Sequence, residues 1–390
     1  MIKNSNEVIV LSTADWDNPF WTNKQHVAMD LAKKGYKVFY IDSLGLRRPS
    51  VNKKDFKRII KRCLKGLKPP KRVEGGILVW SPILIPFNDK KIIRKLNKII
   101  FSSMLKFWLM VNGFKKSILW TYNPLTTKFI NVDSFEYSVY HCVDEIKAQP
   151  GMPVTILEDA EKELTKLSDI VFVTSPTLLE TRKAWSDKVY YFSNVADYSH
   201  FSKALFDETE IPEDMNSIPE PRLGFIGAIS SYKINFNLLY DIAKRNEAWN
   251  IVLIGDVGEG DPNTDVSILK QCKNIHFLGA KSYSVLPNYL KGFDIALLPN
   301  NLNEYTDNMF PMKFFEYLSA GRNVISVDLL SIRDFQEYVR IGHDNEEFIR
   351  LIEDVLNGNK LSIEKIQEIA QQYTYETRTT KMIDVINSQL

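Results

Sequence analysis

The chain has few cysteines and no long apolar run, and each shortage excludes a class of protein. Its three cysteines, Cys63, Cys142 and Cys272, lie far apart among 390 residues and form no CxxC pair. So sparse a set argues against a disulfide framework or a structural zinc site and is typical of a reducing compartment. The longest apolar run, residues 99–111, is interrupted by Lys106 and is shorter than the roughly 20 residues that span a bilayer. We therefore expect a protein that is not integral to a membrane.

The overall composition is that of a globular protein with two unlike halves. Residues 1–7 are polar and lead into a short strand, so we expect no secretory signal and a cytoplasmic location. The hydrophobic fraction is 44% and the charged fraction 25%, and the length suits two domains. Residues 1–200 carry 32 basic and 20 acidic side chains, whereas residues 201–390 carry 18 and 28. The two halves are therefore expected to have different partners.

Two successive series of short apolar strands alternate with helical segments. The first begins with a strand at 7–12 and a helix at 23–34, and the second with a strand at 222–227 and a helix at 235–245. Continuous apolar runs of this kind are typical of parallel strands buried on both faces. The pattern predicts an α/β protein with two Rossmann-like, doubly wound domains that face each other across a cleft, where open α/β sheets bind ligands.

The domain boundaries follow from the same alternation. We predict an N-terminal domain over residues 1–200 and a C-terminal domain over residues 222–370. Residues 201–221 are acidic, contain three prolines and lack periodicity, so they are predicted to be a linker.

Gly227 ends the first strand of the second domain, and Lys233 follows six residues later. A glycine at a strand end lets backbone N–H groups approach a pyrophosphate, and the lysine can neutralise its charge. Glycines also end strands for purely structural reasons, so this segment alone leaves both interpretations open.

The strongest signal is a segment in which Pro311 begins a helix that carries Lys313 and Glu316 on one face. The N–H groups at the helix start favour phosphate, and a carboxylate one turn further in can accept both hydroxyls of a ribose. The alternative is a solvated Lys–Glu pair on a surface helix. It is disfavoured because four large residues direct the helix inward, namely Phe314, Phe315, Tyr317 and Leu318. The pattern indicates a nucleotide-sugar site.

Together these segments resemble the donor half of GT-B glycosyltransferases, in particular the bacterial surface-polysaccharide branch with teichuronic-acid-type and glucuronosyltransferase enzymes. The resemblance extends over essentially the whole chain, and its most specific part is Pro-x-Lys-x-x-Glu-Tyr-Leu-x-Ala-Gly at 311–321. It implies transfer of a sugar, with a UDP-sugar favoured as donor, to a lipid-linked or growing saccharide acceptor. It also implies that the last helix, about 371–390, packs back on the N-terminal domain.

The resemblance also implies which residues contact the donor. The diphosphate should meet Gly227 and Lys233, the diphosphate and sugar should meet Met312 and Lys313, the ribose should meet Glu316, and the base should meet the loop beginning at Gly279. One position departs from the family: the retaining pattern has a glutamate where this chain has Asn308. Asn308 can hydrogen-bond a sugar hydroxyl without carrying a charge, so inverting and retaining stereochemistry both stay open.

An inverting transferase needs a carboxylate or histidine beside the acceptor hydroxyl to take its proton. Asp144 lies just past a strand that ends at His141, so we predict Asp144 as the general base. The alternative is that Asp144 caps the following helix, and His26 and His141 are competing bases. Because His26 lies at the start of the first helix, Trp21, Gln25 and His26 are predicted to bind the acceptor.

No metal or other cofactor is expected. Asp15 and Asp17 form the DxD sequence that the other main transferase fold uses to hold a metal. Here it follows the first strand directly, whereas that fold places the motif well into the domain. Without a metal, Lys233, Lys313 and a helix N-terminus must meet the charge of the leaving group.

Two basic segments suggest a membrane partner. Residues 47–72 contain twelve Lys or Arg and one acidic residue, and residues 90–116 contain eight Lys or Arg, no acidic residue and many apolar side chains. A basic segment beside an amphipathic helix is typical of a surface that rests on anionic lipid. We therefore predict a peripheral protein on the inner face of the cell membrane. An ordinary solvated surface is the alternative, and nucleic acid is not expected because no known binding module is present.

The sequence thus favours a metal-independent glycosyltransferase and leaves two other functions open. One is a non-hydrolysing nucleotide-sugar epimerase on the same architecture. The other is a non-catalytic partner that binds a nucleotide sugar or a lipid-linked glycan in an assembly complex. An NAD-type oxidoreductase is disfavoured because the run from Gly224 to Gly227 lacks the full GxGxxG.

Overall fold

The structure is a computed structural model that describes residues 2, 5–18, 21–44, 65, 66, 68–85, 91–259, 261 and 263–389. The chain forms two compact units, an N-terminal unit of residues 1–192 with 379–390 and a C-terminal unit of residues 193–378. Each unit has its own parallel sheet and its own apolar core. The predicted α/β class with two Rossmann-like domains is therefore confirmed.

The N-terminal unit, as far as it is described, contains one twisted sheet with helices beside it. Its strands are β1 (Glu7–Leu11), β2 (Lys37–Ile41), β3 (Lys71–Arg72), β4 (Leu78–Trp80), β5 (Ser117–Thr121), β6 (Tyr137–Cys142), β7 (Ile170–Val173) and β8 (Val189–Tyr191). Their order is β3-β4-β2-β1-β5-β6-β7-β8, with only the β3–β4 pair antiparallel. The central strands are buried on both faces, which explains their continuous apolar sequences.

The helices of the N-terminal unit lie between these strands along the chain. In the described part they are α1 (Asn23–Lys33), α2 (Lys91–Val111), α3 (Thr126–Phe129), α4 (Val154–Leu167) and α5 (Pro176–Lys183), with 3-10 turns at Glu74–Gly76, Val132–Ser134 and Ile146–Ala148. Two apolar clusters cover the two faces of the sheet. Ser175 caps α5 by accepting a hydrogen bond from the Leu178 N–H group.

The C-terminal unit repeats the architecture with a smaller sheet. Its described strands are β9 (Arg222–Ile226), β10 (Asn250–Ile254), β11 (Ile275–Phe277), β12 (Ile295–Leu298), β13 (Asn323–Val327) and β14 (Arg340–Gly342), in the parallel order β11-β10-β9-β12-β13-β14. Its helices are α6 (Tyr198–Phe201), α7 (Glu213–Asn216), α8 (Phe236–Arg245), α9 (Ser267–Lys270), α10 (Leu286–Lys291), α11 (Glu304–Asp307), α12 (Met312–Ser319), α13 (Asn345–Leu356) and α14 (Ile363–Ala370). The 3-10 turns lie at Ser202–Leu205, Tyr283–Val285 and Leu330–Phe335.

The boundaries between the compact units lie after residues 192 and 378, whereas the sequence predicted them near residues 200 and 371. Residues 201–221 belong to the C-terminal unit and are not a separate linker, because Met215 and Ile218 are buried in its core. Pro212 there precedes a short helix and does not prevent one. The last helix, α15 (Tyr375–Gln389), begins in the C-terminal unit, and from residue 379 onwards it belongs to the N-terminal unit.

The strand order fixes where each sheet can bind a ligand. In the N-terminal unit the chain runs from β1 through β2 to β4 on one side and then crosses back to β5 on the other side of β1. In the C-terminal unit the same reversal occurs between β9 and β12. At such a switch point the loops that follow the two strands diverge and open a crevice at the carboxyl ends of the strands. Most residues singled out in the sequence lie in the segments that follow these strands or the neighbouring β6 and β11, whereas His141 lies within β6.

Candidate functional site

Three glycines form the carboxyl edge of the C-terminal sheet. The Gly227 N–H group donates to the Ile254 carbonyl (2.9 Å), and the Gly255 N–H group donates to the Gly279 carbonyl (3.0 Å). A Cβ atom on Gly255 would lie 1.8 Å from the Gly227 carbonyl oxygen, and both residues have positive φ angles, 155° and 152°. Glycine is therefore required there, and the edge is bare backbone that a diphosphate can approach closely. Sequence reasoning missed Gly255.

The start of α12 lies beyond β12, on the other side of the same switch point. Pro311 precedes the helix, and the backbone N–H groups of Met312 and Lys313 have no acceptor within it, because they lie in its first turn. The Lys313 ammonium donates to Glu316 Oε2 at 2.5 Å. Glu316 is only 4% exposed, so the predicted pair is not turned to bulk solvent. Burial raises the pKa of Glu316, and the Lys313 ammonium opposes the rise.

Two hydrogen bonds fix the position of α12, and one of them reaches the sheet. The Tyr317 hydroxyl accepts from the Ile226 N–H group (2.8 Å), directly before Gly227. The Asn194 side-chain amide donates to the Phe310 carbonyl (2.6 Å), just before the helix begins. The remaining faces are packed by stacked and edge-on aromatic rings that include Phe310, Phe314, Phe315, Phe335 and Tyr373. The position of the Lys313–Glu316 pair is therefore fixed by the core.

Two further segments, which sequence reasoning left unassigned, supply residues that interact with Glu316. Asp197 interacts electrostatically with Glu316, and the His200 ring stacks on Tyr283 with 4.4 Å between ring centroids. A His200 ring nitrogen also lies 2.8 Å from the Tyr283 carbonyl oxygen. Burial lowers the pKa of His200 and raises that of Tyr283, the latter with the Glu316 carboxylate as second cause. These contacts join residues about a hundred positions apart, so no local pattern revealed them.

The other predicted donor residues lie in the loops at this switch point. The Lys233 ammonium lies 5.3 Å from the ring centroid of Tyr232 and 5.5 Å from that of Tyr305. Asn301 donates its N–H to the Lys233 carbonyl (2.8 Å), which ties the loop after β9 to the loop after β12. The Asn308 amide nitrogen donates to the Glu304 carbonyl (2.7 Å), and Asn308 is 8% exposed. Part of the Asn308 side chain is therefore committed to ending α11.

In the N-terminal unit, Asp144 follows β6 by two residues and is half-buried. Its carboxylate interacts electrostatically with Lys24, in the first turn of α1. Burial lowers the pKa of Lys24, and Asp144 opposes this shift. Tyr122, the first residue after β5, lies beneath the lysine, with 5.7 Å from the ammonium to the ring centroid. Residues that follow β1, β5 and β6 thus meet at the switch point of this sheet, and Lys24 was not among the predicted residues.

A buried charge network lies beside Asp144. Arg182 is 1% exposed and donates to both oxygens of Glu145 (2.6 and 3.0 Å) and to Glu161 (2.7 Å). The Tyr140 hydroxyl also donates to Glu161 (2.8 Å). Because Glu145 is the next residue after Asp144, the network holds the loop that carries the proposed base. One feature of the sequence could have revealed this network. Glu161 follows the buried Leu157 by one turn in α4, so it is a charged residue on the apolar face of a helix.

The predicted acceptor residues have different surroundings. The rings of Trp21 and His26 meet edge to face at 5.5 Å, and both residues are half-buried. Gln25 is fully buried; its Nε2 donates to the Asp15 carbonyl (3.0 Å), and its Oε1 accepts from the Thr22 N–H group (3.1 Å). The prediction that Gln25 binds the acceptor is therefore corrected: its amide builds the capping box that begins α1.

His141 is also removed from the competing bases. Its ring is fully buried and lies among the rings of Trp120, Tyr122 and Phe172. An acceptor hydroxyl has no access to such a position. Asp144 and His26 are the two candidates that retain exposure.

One aspartate of the DxD sequence, Asp17, is engaged in an ion pair on the surface. Lys65 forms ion pairs with Asp17 (3.1 Å) and with the buried Asp42 (2.8 Å). Among the described residues, no three His, Cys, Asp or Glu side chains are grouped so that they could hold a metal ion. In the same part of the chain, no helix has the length and apolar character needed to cross a bilayer.

The fold is shared by solved structures over nearly the whole chain. Sucrose-phosphate synthase from Thermosynechococcus elongatus is 14% identical, with a TM-score of 0.69 and coverage of 98% of both chains. Anabaena HepE, solved with UDP and glucose, gives a TM-score of 0.66 at 12% identity, covering 98% of this chain and 99% of that one. WaaG, involved in lipopolysaccharide biosynthesis, gives 0.61 at 12% identity, covering 97% and 99%. The two units together therefore have the GT-B fold.

Sequence comparison identifies the family. Residues 220–358, which contain the α12 segment, match the family described as Glycosyl transferases group 1. A Bacillus subtilis (strain 168) protein named for teichuronic acid biosynthesis, the glycosyltransferase TuaH, is 30% identical over 285 residues, which are 67% of this chain and 69% of that one. The chain belongs to the group 1 glycosyl transferases. This membership favours sugar transfer over the epimerase and the non-catalytic partner that the sequence left open.

Proposed function

We propose that the chain transfers a sugar from a nucleotide sugar, with UDP as the nucleotide, to a saccharide or lipid-linked saccharide during synthesis of a bacterial surface polysaccharide. The observation that carries the proposal is the Lys313–Glu316 pair, with its buried carboxylate, at the start of α12, opposite the Gly227 edge of the same sheet. The UDP and glucose bound to HepE and the name of TuaH support the donor and the pathway class.

The chemistry of the C-terminal unit suits a sugar diphosphate. The first-turn N–H groups of α12 and the bare edge at Gly227 offer backbone donors for phosphate oxygens. Lys313 supplies a cation beside them, and Glu316 can accept two hydroxyl hydrogens from a ribose because a carboxylate has only acceptors. The loop at Gly279 would meet the base. A bound ribose would compete with Lys313 for Glu316, which would release the ammonium toward the diphosphate.

In the reaction, the acceptor hydroxyl oxygen forms a bond to the anomeric carbon, and the bond from that carbon to the diphosphate oxygen breaks. If the configuration inverts, Asp144 takes the hydroxyl proton as the bond forms, and the nucleoside diphosphate leaves with the electron pair. Lys233, Lys313 and the α12 N-terminus would stabilise its charge without a metal, since they are positioned before the reaction begins.

Nucleotide binding tests the donor assignment. The full chain is titrated with UDP, GDP and CMP by thermal shift, because a ligand at a hundredfold excess over Kd adds about 2.7 kcal/mol of stability. We expect UDP to give the largest shift and Lys313→Met to weaken its binding by roughly tenfold to a hundredfold, as expected for a charge-assisted contact. Lys273→Met, an exposed lysine of the same unit, is the matched control. Equal UDP binding by both variants contradicts the assignment.

The general base is tested separately. Asp144→Asn keeps the shape of the side chain and removes its basicity, so turnover should fall by roughly a hundredfold to ten-thousandfold while UDP binding stays unchanged. His26→Gln is made in parallel, since it is the competing candidate. A large loss in His26→Gln with little change in Asp144→Asn would transfer the role to the histidine.

We also propose that α2, in the predicted segment 90–116, rests on anionic lipid; in the other predicted segment, 47–72, residues 47–64 and 67 lie outside the described residues. Its outer face exposes six large apolar side chains, Ile92, Leu96, Ile99, Phe107, Met110 and Val111. Lys95 and Lys106 are exposed on the same helix, whereas Phe101 and Leu105 on the opposite face are buried in the core. An exposed apolar stripe with flanking lysines suits the boundary between headgroups and acyl chains.

Sedimentation with liposomes tests this surface. Vesicles with anionic lipid should carry the protein down at low salt and release part of it at high salt, since each lysine near such a surface contributes about 1 kcal/mol. Exchanging Ile92, Ile99 and Phe107 for serine should abolish binding without unfolding, because these side chains are exposed. Binding that is the same for neutral and anionic vesicles would contradict the electrostatic part.

A further inference from the structure

Lys24 has an unusual environment for a lysine. It is 8% exposed, and among the described residues no hydrogen bond or ion pair involves its ammonium. Asp144 lies close enough to act on it electrostatically but does not pair with it. The Lys24 Nζ atom is not among the described side-chain atoms that are both fully buried and without a partner, so the stem is buried while the ammonium reaches the surface. An ammonium that opens at this place without a paired carboxylate is positioned to meet an anionic ligand.

The local backbone adds positive potential to the same place. Lys24 lies in the first turn of α1, which has no acidic residue. The Thr22 side chain caps the Gln25 N–H group. The preceding N–H groups of the first turn have no acceptor within the helix, and the helix dipole favours an anion at this end. The helix itself is eleven residues long and begins at a capping box, so its N-terminus is well fixed.

The position in the fold is that of a ligand site. The Lys24 ammonium lies over the Tyr122 ring, which follows β5, and near Asp144, which follows β6. The switch point between β1 and β5 is where an open α/β sheet binds its ligand. The cation, the helix start and the switch point therefore coincide in one unit.

We propose that Lys24 binds an anionic group of the acceptor, a phosphate or a carboxylate, at the switch point of the N-terminal sheet. The inference rests on the proposed function only in calling this ligand the acceptor. It predicts that the acceptor is an acidic or phosphorylated saccharide, held by its charge beside the Asp144 carboxylate. A neutral saccharide would lack the group that Lys24 needs.

Calorimetric titration of the full chain tests the site with inorganic pyrophosphate and, separately, with glucuronate; glucose is the neutral comparison. We expect one of the two anions to bind and Lys24→Met to weaken that binding by roughly tenfold to a hundredfold. Lys33→Met removes an equal charge from the exposed end of the same helix and should have no effect. Lys24→Arg should restore most of the binding. The anion that binds distinguishes a phosphorylated acceptor from a uronate.

Lys313→Met separates this site from the one proposed for the C-terminal unit. Anion binding that survives Lys313→Met and is lost in Lys24→Met supports the inference, even if no nucleotide binds and the proposed function fails. Equal binding by wild type and Lys24→Met, or the absence of anion binding at millimolar concentration, overturns it. A Lys24→Met variant with a shifted pH profile of turnover but unchanged anion binding also overturns it, because the lysine would then act only through Asp144.

Discussion

The two switch points of the molecule hold their charges in opposite ways. In the C-terminal unit, Lys313 and Glu316 are three residues apart on one helix and pair directly at 2.5 Å. In the N-terminal unit, Lys24 and Asp144 come from elements 120 residues apart in the sequence and act on each other without pairing. The charge pair proposed for the donor therefore lies within one segment, whereas the proposed acceptor side is assembled by the sheet and leaves a cation without an ion pair.

The two units also differ in the contacts that hold these residues in place. The α12 segment is held by aromatic packing and two hydrogen bonds to backbone. The Asp144 loop is held by Arg182 and two buried glutamates. Apolar packing tolerates small changes, but a buried ion network fails when one member is removed. Substitutions in the two units should therefore have very different costs.

The largest effect is expected at Arg182. Arg182→Met leaves Glu145 and Glu161 buried without their cation and should destabilise the N-terminal unit by about 3–5 kcal/mol. Urea denaturation followed by tryptophan fluorescence measures this, because six of the seven tryptophans lie at residues 16–185.

Arg245→Met is the control for the loss of an arginine. Its partners Glu346 and Glu353 belong to an ion pair network on the surface, and its side chain is 44% exposed, so the cost should be about 0.5 kcal/mol or less. If Arg182→Met fails to fold, Glu145→Gln tests the same network with a smaller expected loss of stability. Equal costs for Arg182→Met and Arg245→Met would contradict the role of the buried network.

The second effect is expected at the glycine edge. Gly255→Ala places a Cβ atom 1.8 Å from the Gly227 carbonyl oxygen at a φ of 152°. Relief of that contact must move the Gly227 loop, so we expect a loss of about 2–4 kcal/mol together with weakened UDP binding. Gly358→Ala has a comparable positive φ, 105°, with no atom within 4 Å, and should cost only about 1 kcal/mol. Thermal denaturation with and without UDP compares the two variants. Unchanged UDP binding in Gly255→Ala would show that this edge does not contribute to donor binding.

The sequence predicted the elements whose causes are local. The strands appear as apolar runs because both faces are buried, and the Pro311–Glu316 helix start is a contiguous motif. Residues 201–221 were misjudged because acidic residues and prolines are typical of linkers, although Met215 and Ile218 anchor the segment in a core.

What could not be predicted depends on contacts between distant residues. Asn194 reaches the carbonyl of Phe310, and Arg182 reaches Glu145. Gln25 was assigned to a ligand because a polar residue at a helix start looks available; its capping contacts emerge only with the fold. The family resemblance supplied the donor residues, but nothing in the sequence distinguished Lys24 from an ordinary surface lysine.

The smallest effect is expected at Glu316 and concerns the direction of a pH dependence. A carboxyl group whose pKa is raised on folding binds its proton more tightly in the folded state. Stability is therefore lost as the pH rises from the ordinary value of 4.5 to the raised pKa of Glu316. Glu316→Gln has no proton to lose, so it should be more stable than the wild type at pH 7, by on the order of 1 kcal/mol, with the gain vanishing below about pH 4.5. The loss of its carboxylate partner should cost Lys313 little, because its side chain is 27% exposed and water can solvate the ammonium.

Urea denaturation at pH 7 and at pH 4, followed by circular dichroism, measures the difference. Glu346→Gln, an exposed glutamate of the same unit, should show no such gain at either pH. A Glu316→Gln variant that is more stable and yet binds UDP more weakly would show that the buried carboxylate is kept at the expense of stability, as expected for a group that serves the ligand. A variant that is less stable at pH 7 would instead make the Lys313–Glu316 pair a structural element, because the ion pair would then outweigh the cost of burying the charge.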